Sequence, residues 1–105
     1  MIEKYNIFDK VFVEKKEEQF FEIFKNETIK VEKIVSNGQK SPENFWYEQE
    51  KSEYILLLCG SAILEFEDFE IDLKKGDCLN IKARQKHRVK FTSLDEPTIW
   101  FAVFY

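Results

Sequence analysis

The sequence predicts a single all-β domain, a small barrel. Three observations carry that expectation: short apolar runs recur along the chain, turn residues separate them, and aromatic residues are abundant. With 105 residues there is room for one core and not for two. Aromatic residues make up 16% of the chain, and eleven are Phe. Broad rings of this kind pack well on the pleated surface of a strand.

The first element expected is a short helix over residues 17–24. Glu17 and Glu18 form the acidic start that a helix N-terminus favours, Phe20, Phe21, Ile23 and Phe24 supply an apolar face, and Asn26 offers a stop. From Thr28 the period becomes that of a strand. Ile29, Val31, Ile34 and Val35 lead to the turn Ser36-Asn37-Gly38. Residues 1–27 are therefore read as an N-terminal segment with a short helix, and residues 28–105 as the barrel. Ser41-Pro42-Glu43-Asn44 makes a polar corner before a strand at Phe45-Trp46-Tyr47-Glu48. The stretch from Glu53 to Cys59 is apolar on both faces and reads as a strand buried on both.

Gly60-Ser61 turns the chain back into Ala62-Ile63-Leu64-Glu65-Phe66, and Glu67-Asp68 forms the next corner. Phe69, Ile71 and Leu73 alternate with Glu70 and Asp72, the pattern of a half-exposed strand. Lys75-Gly76-Asp77 is a tight turn, where glycine takes a positive φ without steric cost. Strands from Cys78 to Ile81 and from His87 to Thr92 follow, and an apolar strand from Thr98 to Tyr105 ends the series.

Charge and cysteine content narrow the partners. Sixteen basic against twenty acidic side chains leave a net charge of -4. A mildly acidic surface has no electrostatic reason to seek nucleic acid or an anionic membrane, so neither is expected as a partner. The first ten residues alternate charged and apolar side chains and lack the apolar core of a signal peptide. The longest apolar run, Tyr54 to Cys59, is far too short to span a bilayer. Cys59 and Cys78 sit in apolar stretches and read as buried free thiols of a reducing, cytoplasmic compartment.

Two stretches resemble the paired motifs of the cupin superfamily. Glu53, six residues and Gly60 match the end of the first motif, which opens with His-x-His; the corresponding positions here hold Trp46 and Glu48. In the second motif Gly76 and His87 stand in place, while Lys82, Arg84 and Phe91 occupy the positions of Pro, Gly and Asn. Fifteen residues, Ser61 to Lys75, separate the motifs. Ser41-Pro42, Phe45-Trp46-Tyr47, Leu56-Leu57-Leu58 with Gly60, and Trp100-Phe101-Ala102 are similar to a bacterial subgroup of small single-domain cupins. The resemblance implies a jelly-roll barrel, or double-stranded β-helix, and says little about a reaction, because one barrel hosts many chemistries.

The family's usual metal site of three His and one carboxylate cannot form in a chain with one His. What the resemblance leaves is a mixed site of His87 with Glu48 and Glu53, completed by Gln49 or water. Such a set suits one divalent ion, Mn, Fe, Ni or Zn. The alternative is a metal-free binding or sensing module in which Arg84 and His87 hold an anionic or sugar-like molecule. Arg84 or Arg88 is also a candidate partner for Glu53, since a buried carboxylate needs a cation or hydrogen-bond donors. Trp46 and Tyr47 read either as packing residues or as a stacking wall for a ring. If Glu53 points inward, Ile55, Leu57 and Cys59 share its face. A third reading is a structural dimer without a ligand; a homodimer is expected, with the two-faced last strand as one source of its interface. No phosphate-binding glycine loop, Cys-x-x-Cys pair or nucleophile motif is present.

Overall fold

The computed structural model describes residues 2–105. Eight strands form two antiparallel sheets. β1 (Gln19–Lys25), β2 (Lys30–Ser36), β8 (Thr98–Phe104), β3 (Glu53–Cys59) and β6 (Cys78–Ile81) make a five-stranded sheet in that order. β5 (Glu70–Lys74), β4 (Ser61–Phe66) and β7 (His87–Thr92) make a three-stranded sheet. Ile55, Leu57, Ala62, Leu64, Phe66, Leu73, Ile81 and Trp100 meet between the sheets as one buried cluster. The expected jelly-roll architecture is present, and each strand anticipated from residue 53 onward is found.

The expected N-terminal helix is a strand. β1 pairs with β2 from Gln19↔Val35 to Lys25↔Lys30, with a bulge between Glu22 and Phe24. Its exposure alternates, with Phe21 and Ile23 half-buried and Phe20 and Phe24 exposed. Four apolar residues in five positions suit one face of a helix as well as they suit a bulged strand, and the hydrogen bonds to β2 decide for the strand. Asn26 does end the element, but as the corner of a hairpin. Its Oδ1 accepts from the backbone N–H groups of Thr28 and Ile29, at 2.9 and 2.8 Å.

Three further readings change. Phe45–Glu48 is not a strand: Tyr47 makes a single bridge to His87 between a corner at Asn44 (φ 66°) and the bend before β3. β3 is not buried on both faces. Glu53, Ile55 and Leu57 are buried, whereas Tyr54 is 46% exposed and Leu56 half-buried on the outer face. Both thiols are free, yet Cys78 is exposed and Cys59 only half-buried, because each belongs to the rim of the sheet rather than its centre.

The outer face of β2 carries the segment before β1. Lys33 points away from the barrel interior and is only 1% exposed. Its Nζ donates to the Asp9 carbonyl at 2.7 Å and lies over the rings of Phe21 and Tyr5, at 4.7 and 5.7 Å. Gln39 Nε2 donates to the Glu14 carbonyl at 2.7 Å, tying down the same segment further along. Among the described residues no helix is long and apolar enough to cross a membrane.

Candidate functional site

The inward residues of β2, β3, β7 and β8 leave a cavity of about 100 Å³ at one end of the core. Its walls are apolar, with Ile34, Ile55, Leu64, Val89 and Trp100, and its polar groups are few. Glu53 opens β3 and His87 opens β7, so both stand where a strand leaves the loop region and enters the barrel. Both are buried, at 8% and 5% exposed. His87 Nε2 lies 3.8 Å from Glu53 Oε1.

Gln49 joins them. Its Nε2 donates to Glu53 Oε1 at 3.0 Å and lies 3.4 Å from His87 Nε2. His87 Nδ1 lies 3.0 Å from the Gln85 carbonyl. A carbonyl can only accept, so Nδ1 carries a proton and Nε2 is left to face the cavity. The imidazole stacks on Tyr47, with ring centroids 5.5 Å apart, and Tyr47 is held by backbone bonds to His87 of 2.8 and 3.1 Å. Burial pushes the Glu53 carboxyl above its ordinary value, against the lowering effects of the Gln49 bond and the nearby imidazole. The Tyr47 phenol is also raised, first by burial and then by the Glu18 and Glu53 carboxylates.

Two more carboxyl groups face the same space. Glu18, just before β1, accepts from Ser36 Oγ at 2.8 Å, and Ser36 Oγ in turn accepts from Trp100 Nε1 at 3.0 Å. Burial raises the Glu18 carboxyl, and the Ser36 bond partly offsets the rise. Glu32 also lines the cavity and pairs with Lys30 at 3.2 Å. Among the described residues no lysine or arginine lines this inner cavity.

Of the residues expected at the site, Glu53, His87 and Gln49 come together, and Glu48, Trp46 and Arg84 do not. Glu48 is exposed and stands outside the cavity. The half-buried Trp46 ring lies 5.9 Å from the Arg88 guanidinium instead of lining a ligand wall. The Arg84 side chain is 65% exposed, and its Nη2 sits 3.7 Å from Glu50. Arg88 does not reach Glu53 either; it pairs with Glu65 at 2.8 Å and donates to the carbonyls of Ser41, Pro42 and Phe45. The inward positions before β3 are Tyr47 and Gln49, each one residue past the positions matched to the paired motif. Side chains alternate along an extended chain, so a one-residue difference exchanges the inner and outer faces. The Tyr47↔His87 bridge sets that register, and it is a contact forty residues long in sequence. The roles of Glu18 and Ser36 carried no local signal, since both are brought in by the β1–β2 pairing.

The metal that the resemblance implies needs converging donors. Among the described residues no group of three or more His, Cys, Asp or Glu side chains is placed to hold one. The Gln49 amide N–H group, rather than its oxygen, faces both Glu53 and His87, and a raised phenol is a poor anionic ligand. The donor set therefore does not fit a divalent ion well, and the chemistry available here is hydrogen bonding by a buried carboxyl, an amide and an imidazole.

No protein-family model and no curated protein matches the chain. Solved structures do. A protein of Ralstonia eutropha JMP134 described as "a putative mannose-6-phosphate isomerase" is 36% identical, with a TM-score of 0.94, over 98% of this chain and 97% of that one. A cupin superfamily protein of Desulfitobacterium hafniense DCB-2 matches with a TM-score of 0.75 at 16% identity, over 90% of this chain and 82% of that one. An RmlC-like cupin of Desulfovibrio desulfuricans matches with a TM-score of 0.77 at 16% identity, over 99% and 97%. The last two likenesses speak for the fold alone. The Ralstonia relative, 36% identical over nearly the whole of both chains, carries the kinship, and with the cupin barrel that the other two structures share, the chain belongs to the cupin superfamily.

Proposed function

We propose that the barrel binds a small hydroxyl- or carbonyl-bearing molecule of sugar-like chemistry, without a metal ion, on Glu53, Gln49 and His87. The observation that carries this reading is the buried Glu53–His87 pair, 3.8 Å apart and facing a cavity. Three carboxyl groups offer acceptors to the hydroxyl hydrogens of such a ligand, and Phe20, Tyr47, Trp100 and Phe104 offer apolar faces to its carbons. Among the described residues an anionic group has no lysine or arginine to meet in the inner cavity, which favours the uncharged part of a ligand there. A carboxyl raised by burial beside an imidazole is also the arrangement used to move a proton to or from a bound hydroxyl or carbonyl. The name of the Ralstonia relative makes aldose–ketose interconversion of a hexose phosphate the first reaction to assay.

The test is calorimetric titration with mannose and mannose 6-phosphate, beside elemental analysis of protein purified without a metal-affinity tag. Binding to metal-free protein that is lost in Glu53→Gln and His87→Ala supports the reading. Near-stoichiometric Mn, Fe, Ni or Zn in the parent, absent from both variants, overturns it in favour of a metal site.

A second copy of the chain is proposed as partner. On the outer face of the large sheet Tyr54↔Val103 and Leu56↔Phe101 pair across β3 and β8, giving an uncharged apolar patch suited to a two-fold interface. The last strand is not an edge, since it lies between β2 and β3, so the patch spans two strands. An elution mass near twice 12.7 kDa is expected, and a Phe101→Glu variant should elute as a monomer. The free thiols, one of them exposed, favour a reducing, cytoplasmic setting.

A further inference from the structure

A second, wider chamber of about 480 Å³ adjoins the inner cavity. Phe20, Tyr47, Gln49 and Phe104 line both and form the neck between them. The inner space of about 100 Å³ is well below the roughly 300 Å³ at which small-molecule pockets usually begin. A ligand that reaches Glu53 and His87 therefore extends through the neck, and the outer chamber meets its other end.

Charge changes sign across that neck. The inner cavity has Glu18, Glu32 and Glu53. The outer chamber has Lys25, Lys30 and Lys51 with Glu27 and Glu50. These charges are not equally free. Glu50 is engaged by Arg84 at 3.7 Å, and Lys30 by Glu32 at 3.2 Å. Lys51 donates to the Thr28 carbonyl at 2.7 Å but has no carboxylate partner among the described residues, and neither has Lys25. Among the described residues Lys25 and Lys51 thus face the chamber against one glutamate without a side-chain partner, Glu27, and leave it a net positive charge.

We propose that the outer chamber is an anion subsite: Lys25 and Lys51 take the phosphate, or a like anionic group, of a ligand whose hydroxylated end occupies the Glu53–His87 cavity. This rests on the inner-cavity reading above and assigns the ligand's class, a phosphate ester of a small polyol. The role that the sequence suggested for Arg84 passes to these lysines, since Arg84 lines neither space and pairs with Glu50. Lysine suits the task as a mobile point charge, able to follow a phosphate in an open chamber.

The test compares mannose, mannose 6-phosphate and orthophosphate on the parent, on Lys25→Ala, Lys51→Ala and the double variant, and on Lys75→Ala as a charge-matched control. Lys75 lies in the turn before β6 and lines neither chamber. The ester is expected to bind the parent about tenfold more tightly than the sugar, a difference of about 1.4 kcal/mol. That advantage should shrink as salt is raised, vanish in the double variant, and persist in Lys75→Ala, with the affinity for mannose unchanged throughout. An ester no tighter than the sugar, or an advantage retained in the double variant, overturns the subsite and leaves the inner-cavity reading standing. If neither sugar nor ester binds, the inner-cavity reading fails, and orthophosphate alone decides the subsite. Amide shifts around residues 25–30 and 50–51 that disappear in the double variant then support it, and their absence overturns it.

Discussion

Glu53 and His87 begin two strands of different sheets, and their side chains meet 3.8 Å apart inside the barrel. That meeting has a consequence for stability. Burial raises the Glu53 carboxyl, and it raises Glu18 across the same cavity, both from an ordinary value of 4.5. A group whose folded-state value is raised binds its proton more tightly in the fold. Its stabilising contribution is complete below the ordinary value and is lost as pH rises through the raised one. Glu53→Gln and Glu18→Gln should melt with the parent near pH 4 and above it near pH 8. Each kcal/mol corresponds to about 4–8 °C for a domain near this size. Thermal melts across that range check the sign, and a gap that widens toward acid pH contradicts it.

Ser36 is fully buried and serves two partners at once, accepting from Trp100 and donating to Glu18. Ser36→Ala leaves the buried indole N–H without an acceptor, at a cost of about 1–3 kcal/mol. Ser36→Ala combined with Trp100→Phe removes both halves of that bond. Denaturant titration should find the pair less destabilised than the sum of its single changes.

Lys33 holds the N-terminal segment through one bond to the Asp9 carbonyl. Lys33→Met keeps the apolar stem and removes the ammonium. Hydrogen exchange should then quicken at residues 5–14, while the β2–β8 amides stay protected. Equal protection of the segment in both proteins would falsify this role.

Gly60 and Gly76 both have positive φ, 83° and 91°, yet they differ in surroundings. A Cβ on Gly60 would come within 2.5 Å of Thr98 Cα and 2.8 Å of the Pro97 carbonyl, whereas one on Gly76 meets nothing within 4 Å. Gly76→Ala should cost about 1–2 kcal/mol, the left-handed penalty alone. Gly60→Ala adds a clash with backbone and should cost clearly more, as paired urea melts will measure.

Much of the fold was legible because strands β4, β5 and β6 alternate cleanly and are bounded by turn residues such as Gly60 and Gly76. The β1 region was not, since Phe20, Phe21, Ile23 and Phe24 satisfy a helical and a strand pattern alike. At the site, Glu53 and His87 were legible as the surviving motif residues. Tyr47 was legible only as one of two readings, packing or a stacking wall, and Glu18 and Ser36 were not legible, because their places depend on pairings with distant segments.

The sequence by itself determined an all-β barrel with Glu53 and His87 at its strand entries. Local period, turn chemistry and motif spacing are properties of neighbouring residues, and they suffice for that. Only the tertiary structure decided that Gln49 rather than Glu48 turns inward, and that Arg84 stands beside Glu50, outside the inner cavity. It also decided that lysines from β1, β2 and the loop before β3 share one chamber. Which face an extended segment buries is set by its register with a strand far away in sequence, and no local pattern encodes that register.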